Sequence, residues 1–329
     1  MRGFSFFTTS ALALLALLPA VAIGAGLKVG FYNKSCPSAE ALVQQAVAAA
    51  FKNNTGCDGS VLIDTTANNT AEKDAAPNNP SLRGFEVIDA AKKAIEARVA
   101  LAGNNLTYKV PAGRRDGRVS NATDALNNLP SPLSNAAELV GNFSRKGLTA
   151  GDMVVLSGAH TVGRSHCSSF TNRLYGFSNG SDVDPAMSSA YAFLLRSICP
   201  SNSTQFVPNT TTDMDLITPA VLDNKYYLGL ANNLGLFTSD QALLTNATLK
   251  KAVDEFVKSE SRWKSKFAKA MVKMGNIEVL TGTQGEIRLN FRQAINSGSS
   301  AAGIELQMTT SGSGGDDDSA EEFNDIATN

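Results

Sequence analysis

The segment from Leu148 to Gly163 constrains the fold of this chain more than any other. It opens with a helix-start signal, because Thr149 can cap a helix and Asp152 follows three residues later, where the carboxylate of a capping box belongs. Residues 152–160 (DMVVLSGAH) are apolar on most faces of a helix, which predicts burial. The sequence therefore predicts a core helix that ends at His160, one of only two histidines in the chain.

Helical periodicity recurs in five further segments and predicts a mainly α-helical protein. These segments are residues 40–51, 85–99, 219–232, 247–259 and 261–274. The last has one apolar face, formed by Trp263, Phe267, Ala270, Met271 and Met274.

Two other stretches depart from helical spacing. Residues 113–132 contain Gly, Pro and Asn at the positions where chains turn, and they are typical of loops. Residues 277–280 and 287–289 flank the turn-like segment 281–285 and predict a minor β-hairpin.

The N-terminus has the pattern of a secretory signal peptide over residues 1–24. Arg2 supplies a positive region, residues 11–18 (ALALLALL) form an apolar core, and residues 22–24 offer small side chains at a cleavage site. A membrane anchor is the alternative, but the apolar run is too short to span a bilayer comfortably and no later stretch is apolar enough. We expect a secreted protein, in the extracellular space or cell wall, with the vacuole as an alternative destination.

Secretion changes how the sequons, cysteines and charges are interpreted. Ten Asn-x-Ser/Thr sequons predict a glycosylated surface, and the four cysteines would meet an oxidising compartment. Residues 299–329 form an acidic tail that is predicted to be disordered. The net charge is −1 for the whole chain and about +4 without the leader and residues 311–329, and no basic stripe stands out, so nucleic-acid binding is not predicted.

His160 is the candidate centre for chemistry. Gly158 and Ala159 stand beside it, and such small residues leave room for a large, flat group to approach the imidazole. The alternative is a core histidine whose hydrogen bonds are satisfied. The second histidine, His166, is interpreted as a surface or packing residue.

The sequence around His160 (SGAHTVG, residues 157–163) resembles the proximal signature of the plant class III haem peroxidases, and other blocks agree with that family in order. These blocks are GFY (30–32), SCP (35–37), GCDGS (56–60), AEKDA (71–75), RGF (83–85), GRRDG (113–117), DNKYY (223–227) and SDQ (239–241). The resemblance implies a haem-peroxidase domain over residues 25–298, with a two-lobed, mainly α fold. It also implies an enzyme, a monomer, that oxidises phenolic donors with hydrogen peroxide.

By this resemblance, His160 is the axial ligand of the iron in haem b. The other ring nitrogen then needs a hydrogen-bond acceptor, which fixes the tautomer and raises the basicity of the ligand. Asp240 matches that acceptor. Taken alone, Asp240 would be interpreted as a turn or helix-cap residue.

The same resemblance implies two calcium sites. The proximal site would use Thr161, Asp215, Thr218 and Asp223, which offer the oxygen ligands that hard cations prefer. An acidic cluster taken alone is usually a solvated turn. The distal site is represented in part, and this list gives the matching residues: Gly56, Asp58, Ser60 and Glu72. Since the ligands expected just upstream are absent, we expect the distal site to be impaired.

The distal half of the family's active site lacks its catalytic residues in this sequence. In the family, a helix that bears the distal Arg and His precedes the GCD block, whereas here residues 51–55 (FKNNT) run directly into it. Asn78 matches the residue that normally orients the distal His. We therefore expect a distal lobe that is incomplete near residues 52–57 and 97–100, and an enzyme that is weak or inactive.

Two alternatives to a weak enzyme stay open. One is a non-catalytic secreted glycoprotein that retains the proximal haem and calcium lobe. The other is a product of mis-splicing or of a faulty gene model.

The remaining implications of the resemblance concern cysteines and donors. Cys167 and Cys199 match a family disulfide, whereas Cys36 and Cys57 have lost their expected partners and are free, mispaired or joined to each other. Pro130 matches the position that contacts aromatic donors, and a simple proline turn is the alternative.

Overall fold

The computed structural model describes the backbone and side chains of most of the chain between residues 26 and 294. The described residues are 26–34, 36–53, 62–79, 82, 84–89, 91, 109–178, 180–201, 210–288, 290 and 292–294, with the backbone alone for 50–53. The predicted signal peptide, the acidic tail, both shortened stretches around 54–57 and 97–100, and Gly56, Asp58 and Ser60 lie outside these residues.

Helices dominate the described part of the chain, which confirms the predicted mainly α fold class. In chain order they are α1 (Ala39–Asn53), α2 (85–89), α3 (Ala122–Asn128), α4 (Ala136–Arg145), α5 (Ala150–Ser157), α6 (Ser189–Ile198), α7 (Lys225–Ala231), α8 (Thr238–Ala242), α9 (Ala247–Lys258) and α10 (Glu260–Met274). Short 3₁₀ turns lie at Glu72–Asp74, Gly158–Thr161, Cys167–Ser169 and Thr171–Arg173.

Helix α5 is the predicted core helix, and its capping box is confirmed. The Asp152 amide donates to Thr149 Oγ1 at 3.1 Å, and the Thr149 amide donates to Asp152 Oδ2 at 2.8 Å. Residues 153–156 are buried, as the apolar sequence predicts. The α-helix ends at Ser157, earlier than predicted, and the 3₁₀ turn Gly158–Thr161 carries His160 away from the helix axis.

Two apolar clusters hold the helices together. The larger surrounds α5 with residues of α7, α9 and α10, and its fully buried centre includes Tyr227, Phe256 and Trp263. The smaller packs α6 against the chain around Phe170 and Leu236. The 3₁₀ turn that contains His160 follows α5 and joins the two clusters along the chain, because Leu156 before it belongs to the first cluster and Cys167 after it belongs to the second.

The predicted β-hairpin is wrong in its position. A small antiparallel sheet does exist, but its strands are β1 (Arg164–His166) and β2 (Thr211–Asp213), with Arg164 opposite Asp213. Residues 277–280 and 287–288 do not pair with each other, because residues 115 and 116 form the hydrogen bonds in this region instead, and residue 289 lies outside the described residues. The Arg115 amide donates to the Leu280 carbonyl at 2.9 Å, and Asp116 forms a bridge with Glu286.

The prediction that residues 113–132 are all loop is also wrong. Asn121 caps α3, because its side chain accepts a hydrogen bond from the Thr123 amide at 3.0 Å. Helix α4 has a complete capping box between Asn135 and Glu138, a signal that the sequence contains and that the periodicity analysis missed.

Among the described residues, none of the helices combines the length and apolar character that a membrane crossing requires.

Candidate active site

The side chain of His160 is held by a buried carboxylate. His160 Nδ1 lies 2.7 Å from Asp240 Oδ1, and the two residues are 80 positions apart in the chain. The rings of Tyr226 and Phe237 meet the imidazole edge to face, with centroids 5.9 and 5.6 Å away. The imidazole is therefore fixed on both sides, while 38% of its side-chain surface stays exposed.

Asp240 is almost fully buried, at 2% exposure, and it is saturated with hydrogen bonds. Besides the contact with His160, its Oδ1 accepts from the Tyr226 hydroxyl at 3.0 Å and its Oδ2 accepts from the Phe237 amide at 2.8 Å. Burial by itself raises the pKa of this carboxyl. The charge of His160 and these hydrogen bonds outweigh burial and lower the pKa below its usual value.

The same pair shifts the imidazole in the opposite direction. Burial opposes protonation of His160, but the charge of Asp240 and its hydrogen bond outweigh that penalty and raise the pKa of His160. In the neutral imidazole, Nδ1 carries the proton that Asp240 accepts, so Nε2 carries the lone pair. This tautomer is the one that can bind a metal ion through Nε2.

The donor chemistry around His160 fits a haem iron. A partly exposed imidazole with its lone pair on Nε2 has the chemistry of an axial ligand, and a buried carboxylate on the other nitrogen is the kind of partner that orients such a ligand. The aromatic edges of Tyr226 and Phe237 restrict rotation of the ring.

The two small residues beside His160 have different surroundings, and the prediction that they leave room for a flat group is wrong for Gly158. Ala159 is exposed beside the imidazole. Gly158 is buried, and a Cβ at this position would lie 2.5 Å from the Tyr227 hydroxyl and 2.6 Å from Trp263 Nε1. Position 158 is therefore small because the core behind His160 is tightly packed, rather than because a cofactor needs the space.

Arg173 is a buried support that the sequence did not reveal. Its side chain is fully buried, and its Nε donates to Asp184 Oδ2 at 2.7 Å. Its Nη1 donates to the carbonyls of the three consecutive residues before α8, namely Gly235, Leu236 and Phe237. The guanidinium therefore braces the backbone that leads into Asp240.

The predicted calcium ligands of the proximal side come together directly behind His160. Thr161 Oγ1 donates to Asp215 Oδ2 at 3.1 Å, and Thr218 Oγ1 donates to Asp223 Oδ1 at 3.1 Å. The Val221 carbonyl lies 3.0 Å from Thr161 Oγ1.

Two buried carboxylates, two hydroxyls and a carbonyl form an oxygen set of the kind that calcium prefers. No group of three or more His, Cys, Asp or Glu side chains within the described ranges could hold a metal ion, so any ion here would depend on hydroxyl and carbonyl ligands.

Of the residues that the resemblance assigns to the distal side, the described part of the chain contains Glu72 and Asn78. Glu72 is half-buried, and burial followed by the charge of Asp124 raises the pKa of its carboxyl. Asn78 is buried, and its Nδ2 donates to the Glu72 carbonyl at 2.7 Å.

Pro130 is exposed and lies in a loop that is tied to the histidine site. The Ser239 amide, next to Asp240, donates to the Pro132 carbonyl at 2.9 Å. Leu126, Leu129 and Leu133 surround Pro130 in sequence, and each is about half exposed. The loop therefore presents an apolar surface whose position depends on α8.

The cysteines that the resemblance paired do form a disulfide. Cys167 and Cys199 are bonded, with Cα atoms 5.7 Å apart, and both are buried in the smaller apolar cluster. Cys36 carries a free thiol, and Cys57 lies outside the described residues.

Comparison with known proteins agrees with this geometry. Residues 31–259 match the sequence profile of the peroxidase family. Peroxidase 1 of Zea mays is 51% identical over 320 aligned positions, which cover 85% of this chain and 86% of that protein. Peroxidase 5 of Vitis vinifera is 46% identical, with 86% of this chain and 96% of that protein covered.

Peroxidase 3 of Arabidopsis thaliana is 42% identical over 302 aligned positions, which cover 81% of this chain and 91% of that protein. The profile match spans most of the chain, and the sequence identities to these relatives are high enough to show membership of the same family. This chain therefore belongs to the plant class III peroxidase family, a family of oxidoreductase enzymes.

Proposed function

We propose that this chain binds haem b through His160 and uses hydrogen peroxide to oxidise small phenolic donors, at a rate far below that of a complete peroxidase. The observation that carries the proposal is the 2.7 Å contact between His160 Nδ1 and Asp240 Oδ1 in a site that leaves part of the imidazole exposed. When bound, the haem supplies the iron that reacts with peroxide and accepts electrons from the donor.

The residues of this chain have distinct tasks in that function. His160 binds the iron, and Asp240 holds the proton on Nδ1, which strengthens donation from Nε2. Thr161, which follows the ligand, belongs to the oxygen cluster with Asp215, Thr218 and Asp223. A calcium ion bound there would stiffen the turn that carries His160.

Low activity follows from the missing general base. Heterolysis of peroxide needs a group that moves a proton between the two oxygens, and a positioned base contributes about 10²–10⁴-fold in rate. The chain has no histidine besides His160 and His166, and His166 lies in β1 opposite Thr211. His166 is thus six residues after the ligand, in the strand that follows the ligand turn.

The comparison with the Zea mays protein supports shortened segments. The 320 aligned positions cover 85% of 329 residues, about 280 residues, so about 40 aligned positions have no residue in this chain. We infer that the shortened stretches lie near 52–57 and 97–100. The predicted distal calcium ligands lie within the first of them or after it: Gly56, Asp58, Ser60 and Glu72. We infer an impaired distal calcium site for the same reason.

The donor would bind at the apolar loop around Pro130. This loop exposes Leu129 and Leu133, which suit the face of an aromatic ring, and it is hydrogen-bonded to α8 through Ser239. Secretion, glycosylation at the sequons and a monomeric state complete the proposal.

A non-catalytic haem protein is the second candidate, and the absence of a distal histidine in the sequence favours it. It would bind haem through the same His160 and show no turnover of peroxide. A product of mis-splicing or of a faulty gene model would instead fail to fold, and transcripts that restore a His-containing block before Gly56 would identify it.

Haem titration of the purified full chain tests the proposal. We expect a Soret band that develops with one haem per chain, is lost in His160→Ala and persists in the matched control His166→Ala. Slow, peroxide-dependent oxidation of guaiacol by the haem-loaded chain would support the weak enzyme, and no turnover would support the second candidate. Equal Soret bands in wild type and His160→Ala would refute His160 as the ligand.

A further inference from the structure

We propose that Tyr226 is a positioning residue that sets how strongly Asp240 attracts the Nδ1 proton of His160. The inference rests on the proposed function, because it concerns the residue that would bind the haem iron. Its basis is a shared acceptor: Asp240 Oδ1 accepts from the Tyr226 hydroxyl at 3.0 Å and lies 2.7 Å from His160 Nδ1.

The shared oxygen is held in one orientation. The other carboxylate oxygen, Oδ2, accepts from the Phe237 amide at 2.8 Å, so the carboxylate cannot turn to offer a different atom to Tyr226. Tyr226 itself is 4% exposed, and its ring meets those of His160 and Tyr227 edge to face. Neither partner of this hydrogen bond has access to bulk water, so water does not substitute for the phenol.

The chemical consequence follows from the geometry. A phenol that donates to Oδ1 stabilises negative charge there and weakens that oxygen as an acceptor for the imidazole proton. With the phenol removed, Oδ1 attracts the Nδ1 proton more strongly and His160 becomes a more electron-rich ligand. An electron-rich axial ligand favours the ferric over the ferrous iron.

The neighbouring residue offers a matched control. Tyr227 is also fully buried, but its hydroxyl donates to the Val154 and Val155 carbonyls at 2.8 and 3.1 Å and makes no contact with Asp240. Tyr226→Phe and Tyr227→Phe each remove one buried hydroxyl from the same helix. Only the first changes the environment of the carboxylate.

The test is the midpoint potential of the bound iron, measured by spectroelectrochemistry on both haem-loaded variants, together with the iron–histidine stretching frequency of the ferrous forms. In Tyr226→Phe we expect a more negative potential and a higher stretching frequency. At an applied potential equal to the midpoint potential of the wild type, the ratio of ferric to ferrous iron should rise about threefold to tenfold. This effect is smaller than that of removing a group that is hydrogen-bonded directly to the ligand. Tyr227→Phe should match wild type in both quantities.

A second replacement at position 226 keeps the proposal testable if the Tyr226→Phe variant does not fold. Difluorotyrosine placed at position 226 keeps the ring and strengthens the donor, so the potential should move in the positive direction. Equal shifts in Tyr226→Phe and Tyr227→Phe, or no shift with either replacement at position 226, would overturn the proposal. The Soret band of His160→Ala is a separate test. If that band persists, the result contradicts the proposed function rather than the role of Tyr226.

Discussion

The two sides of the proposed haem site differ in how completely they are built. On the proximal side, Asp240 meets donors from His160, Tyr226 and Phe237, and Arg173 braces the backbone that leads to it. On the distal side, Asn78 is buried but donates to the backbone carbonyl of Glu72, and the one histidine besides His160 is His166, six residues after it. In the described part of the chain, the hydrogen-bond network of the proposed site is therefore built around Asp240, on the proximal side.

The largest expected effect comes from rebuilding the distal side. Insertion of a helix that carries an Arg and a His before Gly56 should raise kcat/KM for guaiacol oxidation by about 10²–10⁴-fold, because it restores a positioned general base. Steady-state assays of the haem-loaded proteins would measure the change. An inserted helix with Ala in place of His is the control, and equal activity of the two insertions would contradict the proposed division between the sides.

The second largest expected effect is the loss of stability when Arg173, which supports the backbone before α8, is replaced. Arg173→Met leaves Asp184 buried without its charged partner and frees three carbonyls, which should cost about 3–5 kcal/mol in free energy of unfolding. Urea unfolding of the oxidised chain measures it.

A matched control for Arg173 exists in the small sheet. Arg164 also pairs with an aspartate, Asp213, at 2.8 Å, but both side chains are about half exposed. Arg164→Met should cost about 1 kcal/mol or less. Similar losses in the two variants would show that burial of the Arg173 guanidinium is unimportant.

Calcium should stabilise the proximal side through the oxygen cluster. At calcium about 100-fold above its Kd, the free energy of unfolding should rise by about 2.7 kcal/mol, and chelation should reverse the gain. Asp215→Asn should abolish the response, whereas the exposed Asp213→Asn should retain it. Thermal unfolding with and without chelator would measure both, and an unchanged response in Asp215→Asn would place the ion elsewhere.

The smallest expected effect lies in the cap of α5. Asp152 accepts from the Thr149 amide and pairs with Lys273. Burial raises the pKa of its carboxyl, but Lys273 and Thr149 outweigh burial and lower the pKa below its usual value. The stabilisation is thus present above the unfolded-state pKa and is lost as the pH falls through the lower folded-state pKa.

Asp152→Asn should therefore cost about 1 kcal/mol at pH 7 and progressively less in acid. Urea unfolding at several pH values would measure the difference between the two proteins. A difference that does not change between neutral and acidic pH would contradict the assignment to the carboxylate.

Local patterns in the sequence predicted the elements that depend on near neighbours. The capping box of Thr149 and Asp152, the buried run of α5 and the stripe of Trp263, Phe267 and Ala270 involve residues no more than four positions from the next, and these are confirmed. Met274, predicted on the same face as that stripe, is exposed. The resemblance to a family supplied the pairing of His160 with Asp240, which spacing alone could not suggest. The misplaced hairpin failed for the opposite reason, since Leu280 accepts a hydrogen bond from the distant Arg115 amide and Glu286 pairs with Asp116.

The sequence was sufficient for the helices α1, α5, α9 and α10, for the small set of chemically capable residues and for the count of two histidines, because composition, periodicity and capping are properties of neighbours along the chain. The tertiary packing was needed to show that Gly158 serves the core, that Arg173 supports the α8 backbone and that Tyr226 shares the oxygen of Asp240. These contacts join residues that are between 14 positions (Tyr226 and Asp240) and 105 positions (Gly158 and Trp263) apart. Their distances depend on how α5, α7 and α8 pack around one buried carboxylate, which no local pattern encodes.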